Sequence, residues 1–276
     1  MDVLYLIEQE TKRRGYSPRT AETYCGCVCK FMKWVKKEPR KVTRNDIQDY
    51  VDRLVDKNRA GSTINVYVNA LKFLMEEILG KRILLRIKYS KIPKRLPSVL
   101  SKDEVKRLID AVENPKHRLM IELMYSAGLR LSELVHLKAK DIELENCVGW
   151  VRKGKGGKDR LFIIAQRIRE KLREHMEKNC PSPDSWIFSG RKGRHISIRV
   201  PQETVKKAAK KSGISRIKEV HCHTLRHSFA THIIENGYGF IALQNLLGHS
   251  DAETTMVYIH TAKPKIVDVK SPYDDL

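Results

Sequence analysis

Residues 81–97 cannot lie inside a continuous core. Lys81, Arg82, Arg86, Lys88, Lys91, Lys94 and Arg95 alternate there with apolar residues. Pro93 and Pro97 interrupt any helix, because proline lacks the backbone donor and turns the preceding residue away from the α conformation. The stretch reads as an extended basic tether. It splits 276 residues into two pieces, each long enough to bury its own core. The expected organisation is a helical domain at 1–90, a basic linker at 91–98 and a second domain at 99–276.

The first piece has sharp helix starts. Ser17 before Pro18 offers an N-cap followed by proline at the first helical position, and Ala21, Tyr24, Cys25, Val28, Phe31 and Val35 follow at three- and four-residue steps. Thr43 with Asp46 makes a capping-box start, with Ile47, Tyr50, Val51 and Leu54 as the buried stripe. After Gly61 a third stripe runs through Ile64, Val68, Leu71, Met75 and Ile78 and stops at Gly80. Leu4, Ile7 and Thr11 supply a fourth helix. The expectation is a four-helix bundle with Lys12, Arg13, Arg14, Arg19, Lys33, Lys36 and Lys37 on its outer faces. Cys25 and Cys29, four apart on the apolar face, read as buried thiols. No second cysteine pair follows at zinc-site spacing.

The second piece opens with a capping box at Ser101 and Glu104 and a helix to about Glu113. Pro115 restarts a helix carrying Leu119, Met120, Leu123 and Met124, which ends at Gly128. Arg130 then stands at the mouth of a short helix. From Asp141 to Ala165 the period changes to two. Cys147, Gly149 and Val151, then Leu161 and Ile163, suggest a small antiparallel sheet turning through 152–158. Gly149 to Lys155 spells a phosphate-loop pattern, but Gly156 stands where magnesium needs a Ser or Thr, and the loop joins two strands. An ATPase is excluded. Helices return at about 166–178, 201–212, 223–236, 240–247 and 251–259, the last capped by Ser250 and Glu253.

Net charge is +21, a surplus that favours a polyanion as partner, nucleic acid above all. No apolar run approaches the ~18 residues of a membrane helix and no signal-peptide pattern opens the chain, so a cytoplasmic protein is expected.

The chemistry concentrates in the last third, where two histidines, His223 and His249, with Arg226 and Tyr258, recur at short offsets. The set lacks the carboxylate pair or cysteine–histidine cluster a metal would want. Thr224 replaces the glutamate that a zinc-binding His223–His227 helix would need. It suits a phosphate: a cation to hold it, imidazoles to move protons, a phenol to attack. A phenol, with a pKa of about 10, attacks well only if it loses its proton as it does so. Arginine holds two phosphoryl oxygens with one planar fork, and Arg130 and Arg226 are the candidates. His223 shares a helix face with Arg226. Lys155, on a glycine-rich turn, could protonate the leaving oxygen.

Ala127-Gly-Leu-Arg130-Leu-Ser-Glu133-Leu, Gly154-Lys155-Gly-Gly-Lys158-Asp-Arg160, His223-Thr-Leu-Arg226-His-Ser-Phe-Ala-Thr-His, Leu247-Gly-His249-Ser and Tyr258 resemble the motifs of the tyrosine recombinase (phage integrase) family. Their order and the nine-residue step from His249 to Tyr258 match, and the closest likeness is to the two-domain Xer recombinases. The resemblance extends over essentially the whole chain. It implies a mainly α fold, with an N-terminal four-helix core-binding (SAM-like) bundle and a mostly helical catalytic domain holding a small antiparallel sheet. It implies that Tyr258 is the nucleophile, forming a 3′-phosphotyrosine and freeing a 5′-hydroxyl. Arg130 and Arg226 would clamp the phosphate, Lys155 would be the general acid, His223 would assist proton transfer from the tyrosine, and His249 would hydrogen-bond the phosphate. Glu133 would orient the site from behind, and Arg19, Lys94, Arg95, Lys153 and Lys158 would contact DNA.

The covalent link conserves the bond energy, so no cofactor, metal or ATP is implied. The implied partner is double-stranded DNA with a specific recombination site, bound by a homotetramer on two duplexes, with the Ala262–Leu276 tail contacting a neighbouring protomer. Chromosome dimer resolution at a dif-like site is the expected role, favoured by the lack of an extra arm-binding domain. Integration of a mobile element and a type IB topoisomerase-like nicking and closing activity are the alternatives.

Overall fold

The computed structural model describes residues 2–81, 90, 97–152, 159–248, 255, 256 and 258. The chain divides into two compact units, Met1–Lys94 and Arg95–Leu276.

The first unit is built from α1 (Val3–Arg13), α2 (Pro18–Val35), α3 (Arg44–Asp56) and α4 (Gly61–Lys72). Each of the first three helices starts where a side chain satisfies the donors that a first turn leaves open. Asp2 Oδ1 accepts from the Leu4 N–H at 3.0 Å, and Ser17 Oγ from the Thr20 N–H at 3.1 Å. Thr43 and Asp46 reciprocate at 3.3 and 2.9 Å. Ile7, Val28, Phe31, Ile47, Leu71 and Leu74 are sealed from solvent, with Tyr50 edge-on to Phe31. α4 continues as a π-helical turn over Phe73–Ile78. That wider turn lets three successive residues, Phe73, Leu74 and Met75, all face the core, which no three- and four-residue stripe anticipates.

One expectation is corrected here. Cys27 is the buried cysteine, while Cys25 and Cys29 are only half-buried. α2 packs on both α1 and α4, and the face that meets them runs through Cys27, Val28 and Phe31. On the outer faces, Arg13 and Arg14 bond Glu10 at 2.9 and 2.6 Å and Lys37 bonds Asp46 at 2.6 Å, exposed pairs that add little stability. Arg19 lies exposed in the first turn of α2.

The second unit holds α5 (Lys102–Asp110), α6 (Pro115–Ser126), α7 (Leu131–Val135), β1 (Ile142–Glu143), β2 (Val148–Val151), β3 (Arg160–Ile163), α8 (Gln166–Asn179), α9 (Arg199–Lys211), α10 (Cys222–Glu235) and α11 (Phe240–Leu247). The Ser101–Glu104 capping box starts α5, with bonds of 3.1 and 2.8 Å. α6 is the central helix. α5, α8, α9 and α10 pack around it, so Leu119, Met120, Ile121, Leu123 and Met124 are buried nearly all round its circumference.

The sheet is an antiparallel meander in the order β1-β2-β3. Gly149 pairs with Phe162, whose ring lies where a Cβ on Gly149 would be. The expected alternation in the last strand is inverted. Leu161 and Ile163 are exposed, at 44% and 39%, while Arg160 and Phe162 point inward. A period of two does not by itself tell which face is buried, and here an interior carboxylate claims Arg160. Among the described residues no helix is long and apolar enough to cross a membrane. Of the expected closing helix, Thr255, Met256 and Tyr258 are helical. Its cap at Ser250 and Glu253 and the tail from Ala262 lie outside the described residues.

Candidate active site

The site is organised around one buried carboxylate. Gly128, at φ +59°, ends α6 and turns the chain so that Arg130 becomes the N-cap of α7. Glu133, in the first turn of α7, reaches back to that cap. Its carboxylate accepts from the Arg130 N–H at 2.8 Å and from Arg130 Nη1 at 2.7 Å. Arg160 comes in from β3, and its Nη2 donates to Glu133 Oε2 at 2.6 Å. Arg226, on α10 and only 3% exposed, brings Nη1 to 3.7 Å from the same oxygen. An i,i+3 pair that could have been surface decoration is thus the centre of a buried cluster.

The same two incoming arginines also anchor the end of α11. Arg226 Nη2 donates to the Leu247 carbonyl at 2.7 Å, and Arg160 Nη1 donates to the Leu246 carbonyl. These carbonyls belong to the last turn of the helix, where acceptors lack intrahelical partners and the helix dipole is negative. Arg226 Nη1 donates in addition to the Gly128 carbonyl at 2.5 Å. Gly248 then leaves α11 at φ +61°, and its bare Cα lies against the stem of Arg160. Charge thereby fixes the end of α11 at Gly248.

Three guanidinium groups face one carboxylate, so the cluster carries a surplus of positive charge. Burial pushes the Glu133 carboxyl upward, but Arg160, the Arg130 N–H and Arg226 outweigh it and hold it below its ordinary range. Burial, and then Arg130, bring the Arg226 guanidinium down to about 10, which leaves it charged at neutral pH. Arg130 is the most accessible of the three, its side chain 20% exposed. A site built this way is prepared for an anion before one arrives.

Tyr258 reaches the same region. Its ring is 4% exposed and packs with Phe229, Ala230, Leu243 and Leu247. Burial pushes its phenol upward, while Arg226 and then Arg130 draw it back down. Its hydroxyl lies 2.9 Å from Nδ1 of His227, with the rings 5.6 Å apart. Burial, His223, His221 and Arg226 bring the His227 imidazole down to about 4, so it is neutral at physiological pH. His223 is exposed, its ring 6.3 Å from those of both His227 and His221. His221 caps α10, accepting from the Thr224 N–H at 3.2 Å. Beside His223 opens a cleft of about 540 Å³ lined by Lys206, Lys210 and Lys218.

Arg130, Glu133, His223, Arg226 and Tyr258 therefore converge. Lys155 and His249 lie outside the described residues, as do Lys94, Arg95, Lys153 and Lys158. Arg152, just past the end of β2, donates to Asp159 at 3.0 Å. Among the described residues no group of three or more His, Cys, Asp or Glu could hold a metal ion. Sequence reasoning missed two residues. Arg160 sits in a quoted motif, and its alternation with Phe162 was the available signal. His227 was weighed only as a zinc ligand, yet it is the imidazole that contacts the phenol.

Residues 98–265 match the phage integrase family, and residues 4–84 match the phage integrase N-terminal SAM-like domain. The chain belongs to the phage integrase family. It is a tyrosine recombinase, an enzyme that cuts and rejoins DNA strands. It is 36% identical over 255 residues to the tyrosine recombinase XerA of Pyrococcus furiosus, covering 90% of this chain and 86% of that one. To an integrase/recombinase of Sinorhizobium fredii it is 33% identical over 273 residues, covering 97% and 87%. In fold it is similar to the crystal structure of the XerH site-specific recombinase bound to palindromic difH substrate, with a TM-score of 0.76 at 23% identity, over 98% of this chain and 85% of that one.

Proposed function

We propose that this tyrosine recombinase is site-specific, works as a tetramer on two DNA duplexes, and resolves chromosome dimers at a dif-like site. Residues 1–90 form its core-binding domain, 91–98 a basic linker and 99–276 its catalytic domain. Tyr258 Oη attacks the scissile phosphorus, the P–O5′ bond breaks, and a 3′-phosphotyrosine and a 5′-hydroxyl result. Attack by a 5′-hydroxyl on that linkage rejoins a strand, and the energy kept in the phosphotyrosine bond makes ATP unnecessary. Arg130 and Arg226 clamp the phosphoryl oxygens, and loss of one such donor typically raises a barrier by about 2.7–4 kcal/mol. Lys155 protonates the leaving oxygen, His249 bonds the phosphate and His223 helps carry the phenolic proton away. Glu133 holds the arginines in register, and Arg19, Lys94, Arg95, Lys153 and Lys158 contact the DNA backbone. The C-terminal tail contacts a neighbouring protomer.

The observation that carries this reading is a buried phenol beside a centre in which three arginines share one carboxylate. The likeness to the tyrosine recombinase XerA of Pyrococcus furiosus supports a recombinase of the Xer type. Integration of a mobile element is the second reading, supported by the similarly close integrase/recombinase of Sinorhizobium fredii.

The test is covalent trapping on a nicked duplex, resolved on a denaturing gel. A protein–DNA band expected with wild type should vanish in Tyr258→Phe. A band that persists in the variant means that another residue attacks. Joining of two separate duplexes, rather than relaxation of supercoils, separates recombination from a topoisomerase.

A further inference from the structure

We propose that His227 is the group that takes the phenolic proton from Tyr258 as it attacks, and so is a catalytic residue in its own right. The inference rests on Tyr258 being the nucleophile. Nδ1 of His227 lies 2.9 Å from the hydroxyl, the distance of a formed hydrogen bond. The phenol is 4% exposed, and the hydrogen bond sets an imidazole nitrogen against its hydroxyl inside the protein. His227 follows Arg226 directly on α10, so one rigid helix carries both the phosphate clamp and the base. His223, the residue singled out from the motif, stands one ring further away.

Among the described residues, the charged and titratable groups facing His227 are His223, His221 and Arg226 from α10 and its cap, and Tyr258. In the free protein burial, and then the first three, keep it neutral, which leaves the ring able to accept a proton. An incoming phosphodiester offsets the positive charge of the cluster and raises the basicity of the ring as the reaction needs it. His223 and His221, each 6.3 Å from the next ring and both exposed, then lead from the buried site to solvent.

The step balances. The Oη–H bond breaks and its proton goes to His227 Nδ1 while an oxygen electron pair forms the P–Oη bond. The P–O5′ bond breaks, its pair leaves with O5′, and that oxygen takes a proton from Lys155. In rejoining, a 5′-hydroxyl attacks and gives its proton back to the neutral Lys155 amine, P–Oη breaks, and His227 returns its proton to the phenolate oxygen.

Two measurements on the full chain test this. The first needs no DNA. Histidine ¹⁵N NMR should find His227 as the Nε2–H tautomer, its Nδ1 shift changing in Tyr258→Phe. A protonated Nδ1 in the neutral ring would make the phenol the acceptor and overturn the proposal. The second is single-turnover cleavage of a nicked duplex carrying the sequence that wild type retains best from a randomised pool. His227→Asn keeps a polar contact but cannot take a proton. It should cleave about 10²–10⁴-fold more slowly at neutral pH, the usual contribution of a general base. The deficit should shrink by about tenfold per pH unit as the phenol begins to ionise by itself. Retention of the duplex should not change. Cleavage within a few-fold of wild type, or a deficit that is constant with pH, would refute the role. A covalent band in Tyr258→Phe would instead refute the underlying reading, and is distinguishable from either result.

Discussion

Replacing Glu133 by Gln should unfasten the C-terminal unit. The carboxylate accepts from Arg130 at 2.8 and 2.7 Å and from Arg160 at 2.6 Å, with Arg226 at 3.7 Å. An amide keeps one acceptor oxygen but turns an NH₂ toward a guanidinium and removes the only counter-charge these contacts supply. Hydrogen bonds to charged groups contribute about 1.5–3 kcal/mol each, and with the amide oxygen in the place of Oε2, which accepts from both the Arg130 N–H and Arg160, the one from Arg130 Nη1 is lost. Breaking a buried ion pair by removing one partner costs about 3–5 kcal/mol. Relief of the desolvation of the carboxylate offsets part of this, so about 3 kcal/mol is expected. For a domain of this size that lowers Tm by roughly 6–12 °C. Trp150 and Trp186 both lie in the C-terminal unit, so fluorescence melting in a Trp34→Phe background reports it alone. Adding Arg160→Met should cost less in Glu133→Gln than in wild type, with a coupling of at least ~1 kcal/mol, because the unpaired charge is then already present. A loss below ~1 kcal/mol, or additive costs, would refute the claim that Glu133 anchors the cluster.

The same carboxylate sets an acid limit. Its pKa is held below the ordinary 4.5 in the fold, so its contribution is complete above that value and is lost as pH falls through the lower, folded one. Acid titration of the C-terminal unit should steepen below about pH 4, and Glu133→Gln should flatten it; equal slopes would contradict the assignment. Gly248→Ala puts a Cβ into the stem of Arg160 at a backbone of φ +61° and should lower stability by about 2–4 kcal/mol, from left-handed strain plus overpacking. Gly213→Ala is the control: its φ is +68°, but the nearest atom is the tip of Arg107 at 3.8 Å, so only the strain of about 1–2 kcal/mol applies. If the two cost the same in thermal melts, the close packing on Arg160 has no energetic weight. DNA affinity should fall with salt at a slope of about −0.9 in log–log terms per phosphate contacted, and a level titration would count against a phosphate-based interface.

Much of the local structure was legible because its causes are local. The caps at Ser17, Thr43 with Asp46, and Ser101 with Glu104 act between a residue and one three positions on, and all formed. Gly128 adopts the left-handed turn its position after α6 suggests. The π turn at Phe73–Ile78 and the burial of Cys27 in place of Cys25 were not legible, since both depend on which neighbours a helix face meets.

The amino-acid sequence by itself determined the helical stripes, the caps that start them and the Arg130–Glu133 pair. Tertiary structure alone decided which of them meet. Arg160 finds Glu133 across 27 positions, His227 finds Tyr258 across 31, and Arg226 finds Gly128 across 98. Neither propensity nor period reaches that far. A strand's alternation leaves its buried face open, and a helix carrying His223 and His227 four apart presents either ring equally well. Packing of β3 and α10 around one carboxylate resolved the first, because a buried charge must be answered by whichever partners the fold delivers, and the approach of Tyr258 to His227 resolved the second.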